Sequence, residues 1–155
     1  MPKCTLTLSD PDDTSQRAAE LGRSLVAGDV VLLSGDVGAG KTHFARSLIQ
    51  SLLKEPQDIP SPTFTLVQTY DTIRGEVWHA DLYRITSANE VEELGVVDAF
   101  DSAICLIEWP DRLGSLIPAS ALTIELVAGS DENARALTAH WHDEKWPAKL
   151  SGWKS

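Results

Sequence analysis

Lys41 and Thr42 are the residues best suited to chemistry, because of what precedes them. They close the stretch GDVGAGKT, residues 35–42, which satisfies the spacing G-x-x-x-x-G-K-T. Glycines there permit backbone angles closed to other residues and let main-chain N–H groups approach anionic oxygens. The lysine contributes one cation, and the threonine hydroxyl beside it suits a divalent metal. Between a strand and a helix, such a loop fits the phosphates of a nucleoside triphosphate. Asp36, Val37, Gly38, Ala39 and Gly40 would form the cradle, Lys41 would bridge the β- and γ-phosphates, and Thr42 would face Mg²⁺. A plain glycine-rich turn is the competing reading. The flanks oppose it: VVLLS before the loop is strand-like, and HFARSLIQSLL after it is helical.

A cradle does not name a reaction, so acidic partners are needed. Glu108 follows the apolar run ICLI, where the acid of a second nucleotide-binding strand belongs, although Asp is the usual choice there. A carboxylate at that place can hold a metal-bound water or orient an attacking one. Taken alone, it reads equally well as a solvated strand end. Asp81, within HADLYR, ends another strand-like stretch and supplies a second acid. Near a triphosphate it needs a cation such as Arg84, a metal, or a hydrogen-bond network. Two roles fit: completing the metal's water shell, or coupling the γ-phosphate to a switch segment. SPTFT, residues 61–65, with Thr63 and Thr65 in a proline-punctuated loop, is the candidate switch, and a plain turn is its simpler reading.

The elements that must position these groups follow from periodicity. KCTLTL (3–8) alternates as a strand, and residues 9–29 read as a capped helix with Gly28 at its end. Val30–Leu33 and Ile104–Ile107 are continuously apolar, as in strands buried on both faces. Phe44, Ala45, Leu48, Ile49, Leu52 and Leu53 trace one helical face. FTLVQTY (64–70) and VWHA (77–80) flank DTIRGE as a hairpin, and SANE (87–90) is a capping box closed by Gly95. PDRLGSLIP (110–118) is a proline-bounded turn or helix, and LTIELV (122–127) and ARALTAHW (134–141) alternate as two late antiparallel strands. The pattern predicts an α/β fold over 1–140: a single P-loop nucleotide-binding domain with a mixed, partly antiparallel sheet flanked by helices. The tail, 141–155, carries three tryptophans and no clear pattern, and packing against this domain is favoured over a partner surface.

Composition narrows the partners. The chain has 155 residues, 13 Lys+Arg against 23 Asp+Glu, and a net charge of −10. That field repels a nucleic-acid backbone, so any service to RNA is expected to be indirect. No apolar run approaches the ~18 residues of a membrane span, and the N-terminal residues lack a signal-peptide core. Cys4 and Cys105 lie in apolar stretches without metal-ligand spacing, consistent with reduced cysteines in a cytoplasmic protein.

GDVGAGKT, SPTFTLVQTY, HADLYR, EELGVVD and ICLIEWP, in this order, resemble the TsaE (YjeE) family of small bacterial ATPases. The resemblance spans about residues 9–138, and HADLYR and IEWP carry most of its specificity. It implies a weak Mg²⁺-dependent ATPase required for threonylcarbamoyladenosine at tRNA position 37, stimulated by a TsaD–TsaB heterodimer that would handle the tRNA. It further implies ATP on residues 36–42, Mg²⁺ on Thr42 and Glu108, and Asp81 as an essential acid. Trp109 would lie beside the nucleotide, and Thr14 near the adenine. Two residues depart from the pattern: Val37 replaces a common Leu, and His43 stands where Thr or Ser is usual and reads as a neutral surface residue.

Other classes fit less well. A GTPase would need the guanine-reading N-K-x-D, which is missing, and a small-molecule kinase would need a lid of clustered arginines. A nucleotide-gated binding module whose hydrolysis is incidental remains compatible with the same motifs.

Overall fold

The computed structural model describes residues 2–36, 39–55, 67–129 and 133–153. Val37, Gly38 and the SPTFT segment lie outside the described residues, so the expectations placed on them are not addressed by the geometry.

Seven strands form one sheet: β1 (Lys3–Leu8), β2 (Val30–Ser34), β3 (Val67–Thr72), β4 (Gly75–Asp81), β5 (Ile104–Glu108), β6 (Leu122–Ala128) and β7 (Arg135–His140). Their spatial order is β1-β7-β6-β2-β5-β4-β3. The central strands β4, β5, β2 and β6 pair in parallel, while β3, β7 and β1 pair antiparallel with their neighbours. The sheet is therefore mixed, as the sequence pattern implies.

Helices cover both faces, which explains the unbroken apolar runs of β2 and β5. On one face, Val31, Leu33, Ile104 and Leu106 pack beneath α1 (Pro11–Gly22) and α2 (Lys41–Leu52). On the other, Val30, Leu32, Cys105 and Ile107 meet α3 (Ala88–Glu93) and α4 (Val96–Ala99). The Cys105 thiol is pushed up to about 12 by burial, so it behaves as an inert apolar group.

Two boundaries and the inner contact of one cap differ from expectation. Helix α1 starts as predicted, with Asp10 accepting from the Asp13 N–H at 2.8 Å, but it stops at Gly22 rather than near Gly28. There Ser24 Oγ turns back onto the Leu21 carbonyl at 2.9 Å, and Gly28, at φ 97°, only redirects the chain into β2. The hairpin turn is tighter than the DTIRGE span suggested. Thr72 pairs with Gly75, and the Thr72 hydroxyl accepts from Arg74 N–H and donates to the Gly75 carbonyl. In the capping box, Ser87 accepts from Glu90 N–H, but the Glu90 carboxylate reaches Thr86 instead of the cap residue.

The tail folds back onto the α1/α2 side. Its one helical turn, α5 (Trp146–Lys149), precedes a 3₁₀ turn at Ser151–Trp153. Trp146 and Trp153 are fully buried, their indole N–H groups donating to the carbonyls of Ser120 and Arg17 at 2.7 and 2.9 Å. Lys145 and Lys149 hold the buried Asp29 carboxylate at 2.8 and 2.9 Å, at the entrance to β2. Burial alone would raise the Asp29 carboxyl, but hydrogen bonds from Lys145, Val26 N–H and Lys149 outweigh it and keep it below the usual range.

A depressed folded-state value means that Asp29 stabilises above its unfolded pKa, and that this support fades as pH falls through the folded value. Asp29→Asn should therefore cost about 1.5–3 kcal/mol at neutral pH, the scale of hydrogen bonds to a charged group. Urea unfolding at pH 7 and below pH 4 checks this: the deficit should shrink in acid, and an equal deficit at both would remove the ionic contribution.

Candidate nucleotide site

The last buried residue of strand β2 is Leu33, and six residues separate Ser34 from the start of α2 at Lys41. Gly35 has no room for a side chain: a Cβ there would stand 2.4 Å from the Leu126 carbonyl oxygen of the neighbouring strand. Gly40 caps α2 at φ 105°, a left-handed conformation that turns the chain sharply into the helix. The N-terminus of α2 thus opens beside the C-terminal ends of three parallel strands, β2, β5 and β4. Ligands of open α/β sheets bind at such ends.

Four side chains from these elements gather here. Thr42, on the first turn of α2, donates its hydroxyl to Glu108 Oε1 at 2.7 Å. Glu108 ends β5, is 2% exposed, and accepts from His79 Nε2 on its other oxygen at 2.7 Å. Asp81 stands beside Glu108 in the β4–β5 register, with Oδ1 accepting from Tyr83 N–H at 3.0 Å. Burial raises the Asp81 carboxyl above its ordinary range; the Tyr83 N–H opposes this and the Glu108 charge adds to it. The nearby ammonium acting on Asp81 belongs to Lys41, not Arg84.

Lys41 is almost fully buried. Its ammonium donates to the Gly35 carbonyl and, at 3.1 Å, to that of Asp36, and it lies 4.1 Å above the Trp109 ring. Burial lowers its pKa, while Glu108, Asp81 and Asp36 pull it upward. Trp109 adopts φ 59°, rare for a bulky residue, and its ring also meets Tyr83, centroids 4.9 Å apart. This turn out of β5 swings the indole over the lysine.

Lys41, Thr42, Asp81, Glu108, Tyr83 and Trp109 share a cavity of about 440 Å³. A larger groove of about 630 Å³ lies across Trp109, along Gly35, Asp36 and Ala39, but is lined by none of Lys41, Thr42, Asp81 and Glu108. Thr14 is buried in α1, its hydroxyl turned to the Asp10 carbonyl at 3.3 Å, and borders a third hollow of about 170 Å³ with Gly40 and His43. Of the residues singled out from sequence, Lys41, Thr42, Asp81, Glu108 and Trp109 thus come together. Asp36 and Ala39 line the larger groove, Asp36 reaching the cluster through its carbonyl on Lys41, and Thr14 borders the smaller hollow with Gly40.

Two residues are more engaged than the sequence suggested. His43 is no idle surface group: Nε2 donates to the Pro11 carbonyl at 3.0 Å and lies 3.1 Å from Ser15 Oγ, tying α2 to α1. His79 was not singled out. The available signal was alternation, since residues 79 and 81 of one strand face the same side.

This architecture is that of an α/β nucleotide-binding protein with a strand–glycine loop–helix corner. The family model described as "Threonylcarbamoyl adenosine biosynthesis protein TsaE" matches residues 8–137. A Rickettsia felis protein named tRNA threonylcarbamoyladenosine biosynthesis protein TsaE is 41% identical over 130 residues, 84% of this chain and 75% of its own. An Aquifex aeolicus protein of the same name is 38% identical over 106 residues, 68% of this chain and 75% of that one. The chain belongs to the TsaE family. In fold it is similar to the crystal structure of Bacillus subtilis YdiB, with a TM-score of 0.77 at 24% identity, covering 99% of this chain and 97% of that one. Among the described residues, no helix is long and apolar enough to cross a membrane.

Proposed function

We propose that this chain is a weak Mg²⁺-dependent ATPase that serves threonylcarbamoyladenosine formation at tRNA position 37 in the cytoplasm, acting with a TsaD–TsaB heterodimer. The observation that carries the ATPase reading is the 2.7 Å contact between Thr42 Oγ1 and Glu108 Oε1. It commits the hydroxyl proton to the carboxylate and leaves the hydroxyl oxygen's lone pairs available to a cation. Thr42 and Glu108 would hold Mg²⁺, which when bound neutralises phosphate charge and polarises the phosphoryl group. The main chain of residues 36–42 would receive the phosphates.

Lys41 has two carbonyl partners and an aromatic face, and a triphosphate offers it stronger, charged acceptors. Its transfer from those carbonyls to the phosphates would release Trp109, coupling loop occupancy to the aromatic wall. Asp81 is the acid that responds to the γ-phosphate, since burial and Glu108 already make its charge costly. The net charge of −10 favours leaving the tRNA to the protein partners.

Phosphate release measured with and without the cognate TsaD–TsaB pair tests this reading. Slow turnover alone and clear stimulation by the pair is the expected result. Nucleotide-dependent binding to the pair without stimulated turnover would replace the ATPase with a nucleotide-gated binding module.

A further inference from the structure

We infer that His79 is a positioning residue for Glu108, an inference that rests on the ATPase reading above. A glutamate side chain has three rotatable bonds, and nothing in its own strand fixes the carboxylate toward α2. His79 is wholly buried in β4, where main-chain pairing with Gln68 and Leu106 on either side holds it rigidly. Its Nε2 meets Glu108 Oε2 at 2.7 Å while Thr42 takes Oε1, so the carboxylate is held at both ends. Because the carboxylate only accepts, the imidazole donates.

The rest of the ring argues that this contact is its purpose. Nδ1 is buried without a hydrogen-bond partner among the described residues. An orphaned buried polar atom is unfavourable, and the same face of the sheet carries Val77 and Leu106, among which an aliphatic side chain would fit without that cost. The imidazole's one hydrogen bond goes to Glu108, and its structural consequence is the orientation of the oxygen shared with Thr42.

His79→Leu and His79→Gln separate this role from simple packing, because the glutamine amide reaches the position of Nε2 and the leucine cannot donate. In the leucine variant, partner-stimulated kcat should fall about 10–100-fold with KM for ATP near wild type. The gain in ATP affinity on adding Mg²⁺, read by calorimetry without turnover, should fall with it. The glutamine variant should recover most of both. Equal losses in the two variants, or a leucine variant with unchanged kcat and Mg²⁺ gain, would overturn the inference. Should the leucine variant fail to fold, His79→Asn, whose amide stops short of Glu108, takes its place under the same criteria. Failure of the underlying reading is separately visible, since wild type would then lack a Mg²⁺-dependent gain altogether.

Discussion

Glu108→Gln is expected to lower partner-stimulated phosphate release at least ~100-fold while ATP still binds. The substitution preserves shape and removes charge, but the geometry adds a second consequence. Glu108 accepts from two donors, Thr42 at 2.7 Å and His79 at 2.7 Å. An amide has one accepting oxygen and presents N–H groups on the other side, so one contact becomes donor against donor. If the amide nitrogen faces His79, the ring must move its proton to Nδ1, which has no acceptor among the described residues. If it faces Thr42, the hydroxyl must reverse, and the lone pairs meant for a cation are spent on the amide. Either way the threonine–acid pair loses its arrangement. Full turnover in the glutamine variant would return Glu108 to a purely structural strand end.

The largest expected effect on stability lies at the other end of the molecule. Trp146→Ala should cost about 3–5 kcal/mol, the range for truncating a buried aromatic residue. Trp146 is fully buried in the same core cluster as the apolar faces of α1 and α2, and its indole N–H satisfies the Ser120 carbonyl at 2.7 Å. Truncation leaves both a cavity and an unpaired carbonyl. Urea unfolding should show a lower midpoint, and a loss below about 1 kcal/mol, the scale of a surface change, would mean that the tail contributes little. Because Asp29 and its two lysines bind the same segment beside β2, the cost should couple to the Asp29→Asn effect.

What could be read from the chain follows the range of the forces involved. The buried strands and the apolar face of α2 are local patterns, and the structure reproduces them. The mixed sheet followed from the strand and helix pattern, but its spatial order did not, because pairing β2 with both β5 and β6 joins residues far apart in sequence. Helix α1 ends early where Ser24 Oγ turns back onto the Leu21 carbonyl, a contact that the placement of Gly28 does not signal. His79 looked like one residue of a motif; only the β4–β5 register brings it within reach of Glu108. His43 likewise acquires its partners from α1, not from its own helix. The tryptophans of the tail lack helical or strand period because they fill hollows defined by other elements.

Nucleotide binding by the loop and Lys41 is the central claim, and calorimetric titration of ATP with Mg²⁺ into wild type and Lys41→Ala tests it most directly. The ammonium is buried against the Gly35 and Asp36 carbonyls, and a charge-assisted contact to a phosphate would be worth roughly 1.5–3 kcal/mol. Binding to wild type should be saturable, with an affinity at least about tenfold weaker in the alanine variant and the fold intact. Equal affinity in the two proteins, or no binding to wild type, would contradict it.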